Sequence, residues 1–520
     1  MEFKVVCFLI GRAMTAMSLT FLLPILYALE MRKMDIATFF AEIEAGTLIA
    51  GIILLLIGRN HRQRIQIKEA AVSMVLIWIV LAVVGALPFI MTQWLNPIDA
   101  YLESVSDLTA TGISLLPPQI HYALRVWQAT LMWFGSLVFL VILVTLLPIV
   151  NGSFGISLSL SQGQIFSPMF GQMKDNSRRI TILYVFITII SFISFKLAGL
   201  HNWNAIIMAM KCISTGGGNN FFPGNHSHYV EYAAIFSMLL ACGNFLLYFR
   251  LLKTLTPPVS SLNLQSPIKI KNFAKSVHSL IINFIERLRQ NFLVNLDIFY
   301  GNSEVQFMNA LIFIVTGFGF FNLFNVNMIQ DGNLSFRLAL FHVVSFISTT
   351  GLMTADVSDV DNFSIFILIL LPLIGGCMGS VTGGLKIIRI LILFKITKLE
   401  ILRSIHPRMI TNIKINGVAV PMKIVGRVLS FFFLFLTVMF LFSVILSLSG
   451  QPLSTSVAMS FACLTNIGAL PELCETSAFM ALPAIMKLFC CFILIIGRVE
   501  IFVILILIAM LFKYRKQRKW

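Results

Sequence analysis

Long apolar runs separated by short polar segments extend over almost the whole chain. Two runs come first, near residues 5–29 and 36–57. Arg12 interrupts the first run and no cleavage site of small residues is obvious, so we expect it to remain as a helix. A helix that spans a bilayer needs about 20 mostly apolar residues, and runs of this kind recur. The pattern predicts an all-α integral membrane protein without a large domain in water.

One order of elements then occurs four times: a spanning segment, a short amphipathic segment, a turn that contains glycine, and a second spanning segment. Self-similar units in an apolar chain indicate a repeated membrane architecture. Two leading helices and four pairs predict about ten spans. The predicted units are 1–69 (two N-terminal helices), 70–179 (repeat 1), 180–305 (repeat 2 with a cytoplasmic loop), 306–423 (repeat 3), and 424–520 (repeat 4 with a basic cytoplasmic tail).

The amphipathic segment before each turn is too short to cross a bilayer. Signals for a helix start precede the turns at Asn96-Pro97, Asn202, Ser335, and Pro452 or Ser454. From these positions to the turns, a helix extends for about 20 Å, which reaches the middle of the membrane. Irregular backbone is tolerated at that depth only where it lines a cavity. The segments are therefore predicted to be re-entrant half-helices around a common pore.

The composition and the placement of charge support a membrane protein. The chain has 520 residues, of which 58% are hydrophobic and 12% are charged, with a net charge of +16. The basic residues gather in alternate loops, near 58–68, 151–180, 253–305 and 396–423, and in the C-terminal tail. This distribution follows the positive-inside rule and places those loops in the cytoplasm. It also argues against nucleic acid as a partner. Binding of anionic lipid is another explanation for the positive charge of the basic loops.

Each of the four turns has threonine or serine near a glycine, and in the fourth Thr465 is followed by Asn466, Ile467 and Gly468. Rings of backbone carbonyls can replace the hydration shell of a permeating cation, and glycine permits the backbone angles that direct them inward. The predicted ion-binding residues are Thr109, Ala110, Thr111 and Gly112; Ser214, Thr215 and Gly216; Thr349, Thr350 and Gly351; and Asn466, Ile467 and Gly468. Ordinary helix-breaking turns are the alternative.

These motifs resemble the Trk/Ktr/HKT superfamily of potassium transporters, and specifically the membrane subunit of bacterial Trk systems. The resemblance covers essentially the whole chain. It implies that each repeat contributes one filter glycine, here Gly112, Gly216, Gly351 and Gly468. In this family a serine at such a position is associated with sodium permeation, so four glycines favour potassium. The fourth turn departs from the usual Gly-Pro-Gly, because Pro471 lies two positions later than expected.

A second resemblance lies in repeat 3, in the run from Gly375 to Arg389. In the family this run is an intramembrane loop that gates the pore, and the residues implied here are Gly375, Gly376, Gly379, Gly383, Gly384 and Lys386. A closely packed Gly-rich helix crossing is the alternative. The family also has an arginine in the last helix on the pore side, which corresponds to Arg498. The alternative for Arg498 is snorkelling to the headgroups.

The resemblance further implies a homodimer in the bacterial inner membrane, with a cytoplasmic C-terminus and a cytosolic nucleotide-binding regulatory subunit of the TrkA type. Potassium is expected as the transported ion, without a prosthetic group. A sodium-coupled or sodium-permeable transporter of the same architecture is the alternative function. Paired carboxylates on one helix face, HExxH and phosphate-binding loops do not occur in the sequence, which argues against a membrane enzyme.

Acidic residues of the predicted outer loops could concentrate cations at the pore mouth, or they could be ordinary solvated side chains. They are Asp99, Glu103, Asp107, Asp331, Asp356, Asp359, Asp361, Glu472 and Glu475. Asp107 is the strongest candidate for a role because it lies so close to the first turn.

Overall fold

The computed structural model describes residues 2–60, 65–117, 119–146, 149, 173–217, 227–248, 300–325, 331–354, 362–408, 412–468, 470 and 473–517. Asp356, Asp359, Asp361, Pro471 and Glu472, together with most of the predicted cytoplasmic loops at 151–180 and 253–305, lie outside these residues.

Helices make up nearly all of the described chain. The N-terminal helices and repeat 1 are α1 (Phe3–Ser18), α2 (Leu22–Glu30), α3 (Met34–Ile57), α4 (Ile67–Met91), α5 (Pro97–Leu108) and α6 (Tyr122–Thr145). Repeat 2 has α7 (Met173–Leu197), α8 (Asn202–Ser214) and α9 (His228–Cys242). Repeat 3 has α10 (Ser303–Asn325), α11 (Gly332–Ile347), α12 (Asn362–Ile374), α13 (Ile387–Ile405), β1 (Lys414–Ile415) and β2 (Val418–Ala419). Repeat 4 has α14 (Met422–Ser447), α15 (Leu453–Thr465), α16 (Thr476–Met480), α17 (Ala484–Val499) and α18 (Ile501–Gln517).

The four half-helices α5, α8, α11 and α15 contain 12, 13, 16 and 13 residues. Asn96 and Pro97 start α5, and Pro452 precedes α15, as the sequence predicts. Helix α11 begins earlier than predicted, because Asp331 accepts a hydrogen bond from the Asn333 amide at 3.0 Å and so caps the helix before Ser335.

The described residues include seven helical segments long and apolar enough to cross a membrane, or eight if α17 and α18 count as one bent span. Helices α9 and α12 are shorter, at 15 and 13 residues. Large side chains on the outside, such as Phe313 and Phe433, are 82% and 65% exposed, as expected of a surface in contact with lipid. The mostly helical membrane fold is confirmed, whereas the number of full spans stays a prediction.

The sequence pattern suggests that the last apolar run is one helix, but the structure divides this run into two helices. Helix α17 ends at Val499, and α18 starts at Ile501 after a bend of 107°. Glu500 at the bend has a φ of +75°, which a non-glycine residue rarely adopts. Its carboxylate pairs with Arg389 of α13 at 2.6 Å. The run is therefore interrupted directly after Arg498.

The second helix of one repeat packs against the half-helix of the next repeat at three junctions: α6 against α8, α9 against α11, and α17 against α5. The fourth residue of each of these second helices is charged: Arg125, Glu231 and Lys487. Glu231 pairs with Arg337 of α11 at 2.5 Å, and Lys487 pairs with Asp99 of α5 at 2.6 Å. The last of these contacts joins repeat 4 back to repeat 1, so the repeats enclose a centre.

Replacing Arg337 by methionine should destabilise the junction of repeats 2 and 3. The substitution leaves Glu231 buried without its cation, which costs about 3 kcal/mol for a buried pair. Thermal unfolding in detergent should therefore occur at lower temperature. Arg403→Met is the matched control, because Arg403 forms an exposed pair with Glu400 that is worth about 0.5 kcal/mol or less. Equal melting temperatures for the two variants would contradict the role given to the buried pair.

Candidate functional site: the four turns and the Gly-rich loop

Each half-helix ends at a non-glycine residue with left-handed backbone angles. These residues are Ala110, Thr215, Thr349 and Asn466, with φ values of +55°, +59°, +55° and +54°. Such a conformation costs about 1–2 kcal/mol for a residue with a side chain. Its occurrence at the same place in all four turns indicates a shared backbone geometry at this position, although two residues later only Gly112, Gly351 and Gly468 have a positive φ, and Gly217 does not.

This shared geometry changes the register predicted for repeat 2. The amide one residue after the left-handed position bonds to the carbonyl five residues earlier, from Thr111 to Ser106, from Gly216 to Lys211, from Thr350 to Ser345 and from Ile467 to Ala462. Gly216 therefore corresponds to Thr111, Thr350 and Ile467. Gly217, which the sequence analysis did not select, takes the position of Gly112, Gly351 and Gly468. Three consecutive glycines in the sequence gave no side chain by which to fix this register.

Neighbouring turns touch each other through their backbones. The Gly217 amide donates to the Thr350 carbonyl at 2.9 Å. A Cβ on Gly351 would lie 2.5 Å from the Ile467 carbonyl oxygen, and a Cβ on Gly468 would lie 2.6 Å from that of Thr111. These contacts join repeat 2 to 3, 3 to 4, and 4 to 1. The turns thus surround a common centre, and glycine is needed where two backbones come this close.

Hydroxyl groups stabilise the turns from within. Thr109 Oγ1 lies 2.8 Å from Thr111 Oγ1, and Ser348 Oγ lies 2.7 Å from Thr350 Oγ1 at the matching place in repeat 3. The Asn466 side chain donates to Thr111 Oγ1 at 3.0 Å and so bonds repeat 4 to repeat 1. The sequence alone gave no hydrogen-bond partner for the Asn466 side chain, and the structure shows that this side chain links the fourth turn to the first.

Glu103 and Asp107 do not belong to a solvated mouth. Both are fully buried in α5. Glu103 accepts hydrogen bonds from Ser114 Oγ at 2.9 Å, from the Leu115 amide at 2.5 Å and from the Gln128 side chain at 2.5 Å. It therefore holds the chain that follows the first turn against the half-helix. Among the other outer acids, Asp99 pairs with Lys487, and Asp331 and Glu475 are exposed.

The Gly-rich loop, residues 375–386, joins α12 to α13 without helical structure. Gly375, Gly379, Gly384 and Lys386 have positive φ values of +69°, +85°, +74° and +77°. The Gly383 amide donates to Thr349 Oγ1 at 2.9 Å, and a Cβ on Gly383 would lie 1.9 Å from the Thr465 carbonyl oxygen. The loop therefore lies directly against the turns of repeats 3 and 4.

Two buried cations hold the second half of this loop. The Lys386 ammonium donates to the Thr382 carbonyl, to Thr382 Oγ1 at 3.1 Å and to Ser380 Oγ at 3.3 Å. Arg498 donates from Nη1 to the Val381 carbonyl at 2.7 Å and from Nη2 to Ser136 Oγ at 3.1 Å. Its guanidinium also lies 4.3 Å from the centre of the Phe139 ring. Arg498 is buried among protein groups, so it does not snorkel.

A cavity of about 460 Å³, including its part open to solvent, adjoins the loop. Its lining carries the cations Lys386, Arg389 and Arg498 and one carboxylate, Glu500. Arg389 is neutralised by Glu500, so the cavity retains an excess of positive charge. A potassium ion next to this lining would be repelled, because charges interact strongly where water is scarce.

Comparison with known proteins identifies the family. The sequence profile of TrkH, described as a cation transport protein, matches residues 39–517. The chain belongs to the TrkH family.

Relatives of the TrkH family match over nearly their whole length. The Trk system potassium uptake protein TrkH of Halomonas elongata is 27% identical over 526 residues, covering 98% of both chains. The Trk system potassium uptake protein TrkG of Escherichia coli K12 is 28% identical over 515 residues, covering 97% of this chain and 98% of the relative. The crystal structure of the potassium transporter TrkH from Vibrio parahaemolyticus superposes with a TM-score of 0.81 at 25% identity, covering 98% of both chains.

Alanine substitutions of Gly216 and Gly217 should separate the two registers. A Cβ on Gly217 would lie 2.2 Å from the Thr350 carbonyl oxygen, whereas a Cβ on Gly216 would lie 2.8 Å from the sulfur of the flexible Met132 side chain. Gly217→Ala should therefore lose most of the potassium flux into liposomes, and Gly216→Ala should retain most of it. The reverse order of the two variants, at equal protein in the membrane, would restore the register predicted from sequence.

Proposed function

We propose that this protein mediates potassium uptake through a channel-like pore whose filter is the set of four turns. The observation that supports this most strongly is the contact between turns of different repeats, together with the left-handed residue that occurs at the same place in all four turns. Backbone carbonyls arranged around a centre replace the water of a permeating cation. The proposed ion-binding residues are those predicted from sequence, with Gly217 in place of Gly216 as the filter glycine of repeat 2.

The half-helices favour a cation at this centre. Each half-helix ends at a turn, and the C-terminal end of a helix carries a partial negative charge of about half an elementary charge. Half-helix C-terminal ends of this kind coordinate sodium or protons in other membrane transporters. Four such helix ends around one point would offset much of the hydration free energy that a cation loses when it leaves water.

The Gly-rich loop is the proposed gate. It lies against the turns of repeats 3 and 4, and hydrogen bonds from Lys386 and Arg498 hold it there. The positive charge of the adjacent cavity adds an electrostatic barrier. Conduction requires that the loop move and that Arg498 release the Val381 carbonyl.

Potassium is the proposed ion because all four positions nearest the centre are glycine and because the relatives carry the name of potassium uptake proteins. The wider assembly follows the resemblance: a homodimer in the bacterial inner membrane, with a cytoplasmic C-terminus and a cytosolic nucleotide-binding subunit of the TrkA type. The basic loops near 253–305 and 396–423 are the proposed docking surface for that subunit.

Flux into liposomes, measured with potassium and sodium in turn, tests the proposal directly. Potassium flux well above sodium flux supports the filter. Equal fluxes, or sodium flux that exceeds potassium flux, would favour the sodium-permeable alternative.

Serine at the filter glycines should weaken selectivity. In Gly351→Ser, a Cβ would lie 2.5 Å from the Ile467 carbonyl oxygen, so that carbonyl must turn away from its present direction. Potassium flux should fall, and the ratio of sodium to potassium flux should rise; Gly112→Ser should act in the same way. Gly426→Ser in α14 is the matched control, because a Cβ there meets no atom within 4 Å. Unchanged ratios in both filter variants would refute the proposed filter.

Substitution of Arg498 should open the pore. Arg498→Ala removes a positive charge and the bond to Val381, so the basal potassium flux should increase without a partner subunit. Arg498→Lys keeps the charge but cannot bond to Val381 and Ser136 with one planar group. If these hydrogen bonds, and not the charge, keep the pore closed, the lysine variant should therefore conduct nearly as much basal potassium flux as the alanine variant. A lower flux in Arg498→Ala than in the unmodified protein would show that Arg498 supports the conducting structure.

A further inference from the structure

A buried carboxylate connects the Gly-rich loop to the start of α10. Glu304 is the second residue of α10 and is fully buried. Its Oε1 accepts a hydrogen bond from the Met378 amide of the loop at 3.1 Å, and its Oε2 accepts one from Nδ2 of Asn244 at 3.4 Å. A carboxylate without water is stable only where donors surround it. The position of the loop and the position of Glu304 therefore depend on each other.

The same part of the loop is bonded to the broken end of α9. The Cys377 amide donates to the Cys242 carbonyl at 3.0 Å, and the Phe245 amide donates to the Gly379 carbonyl at 3.2 Å. Asn244, which follows the end of α9 and lies between Cys242 and Phe245 in the chain, also packs against Gly379, where a Cβ would lie 2.9 Å from the Asn244 side-chain oxygen. Residues 377–379 are thus held by groups from outside the loop, and Glu304 is the side-chain acceptor for the Met378 amide.

Two hydrogen bonds at the start of α10 connect Glu304 with the β-hairpin, residues 414–419. The Glu304 amide donates to the Asn302 side chain at 2.9 Å, and the preceding amide, that of Ser303, donates to Oδ1 of Asn416 at 2.8 Å. Asn416 and Gly417 form the tip of the hairpin, with φ values of +49° and +78°. The hairpin belongs to the basic segment that the charge pattern assigns to the cytoplasm. A group at that surface therefore bonds to Ser303, the residue directly before the carboxylate that holds the loop.

We propose that Glu304 is a positioning residue that anchors the first half of the Gly-rich loop and couples it to the hairpin. The proposal rests on the assignment of the loop as the gate. Arg498 and Lys386 hold the second half of the loop, from 380 to 386, so the two halves have separate anchors. Movement of the hairpin displaces the start of α10, which withdraws the Glu304 carboxylate from Met378. The first half of the loop is then released while the Arg498 contacts remain.

The test uses Cys377, a fully buried thiol inside the loop, as a reporter. The full-length protein in membrane vesicles is treated with N-ethylmaleimide, and labelling of each cysteine is followed by mass spectrometry. Glu304→Ala should label Cys377 about tenfold faster, the effect of losing one hydrogen bond to a charged group. Glu304→Gln keeps an acceptor oxygen for the Met378 amide. Its labelling rate for Cys377 should therefore fall between the rate of the unmodified protein and that of Glu304→Ala. Cys212 in α8 is a buried internal control whose labelling should not change.

Glu400→Gln is the matched control variant, because Glu400 is an exposed carboxylate of α13 that pairs only with Arg403 among the described ion pairs. It should label like the unmodified protein. An unchanged Cys377 rate in Glu304→Ala would overturn the proposal. Equal acceleration of Cys377 and Cys212 would also overturn it, because the variant would then have loosened the whole fold.

Asn416→Gly tests the connection to the hairpin. Glycine keeps the positive φ of this position and removes only the side-chain acceptor. Labelling of Cys377 should accelerate, and the double variant with Glu304→Ala should be no faster than Glu304→Ala alone, because both act on one series of bonds. An unchanged rate in Asn416→Gly, or additive effects, would overturn the coupling.

Potassium flux separates this inference from the proposed function. Faster Cys377 labelling together with a higher basal flux in Glu304→Ala supports both. Faster labelling without a higher flux supports the Glu304 anchor and contradicts the assignment of the loop as the gate.

Discussion

A polypeptide at the centre of a bilayer cannot leave its amides and carbonyls without partners, because no water is there to replace them. The turns and the Gly-rich loop are the parts of the described chain where this constraint is hardest to meet. Their amides find specific acceptors: Gly383 bonds to Thr349 Oγ1, Gly376 to Thr382 Oγ1, and Cys377 to the Cys242 carbonyl. Thr349 and Cys242 lie outside the loop, in the turn of repeat 3 and at the end of α9. The loop and the turns are therefore positioned together.

The four turns are alike, but the structure that adjoins them is not. Helix α6 continues through 24 residues, whereas α9, α12 and α17 end after 15, 13 and 16. At the break after α9, backbone groups bind the Gly-rich loop, and at the break after α17 the Glu500 carboxylate pairs with Arg389. A nearly symmetric set of turns is thus combined with an asymmetric support.

The sequence predicted the parts of this arrangement that depend on local signals. Asn96 and Pro97 mark the start of α5, and a glycine after each half-helix marks the turns. It did not predict the break at Glu500, because the single glycine of that run, Gly497, does not by itself end a helix and the partner Arg389 is 111 residues away. The burial of Glu103 was missed for a similar reason, since its hydrogen-bond donors lie after the turn, at Ser114 and Leu115, and on α6, at Gln128. Contacts between distant segments decided these features.

The bonds that join repeat 4 to repeat 1 connect residues very far apart in the chain. Asn466 and Thr111 are separated by 355 positions, Arg498 and Ser136 by 362, and Lys487 and Asp99 by 388. Synthesis proceeds from the N-terminus, so the first half-helix is made long before its partners exist. A nascent chain that has inserted only three repeats has no closed ring and no complete set of carbonyls for an ion. The proposed ion path therefore does not exist in part during biogenesis, and the last segment to be inserted completes the proposed pore and supplies Arg498 in the same step.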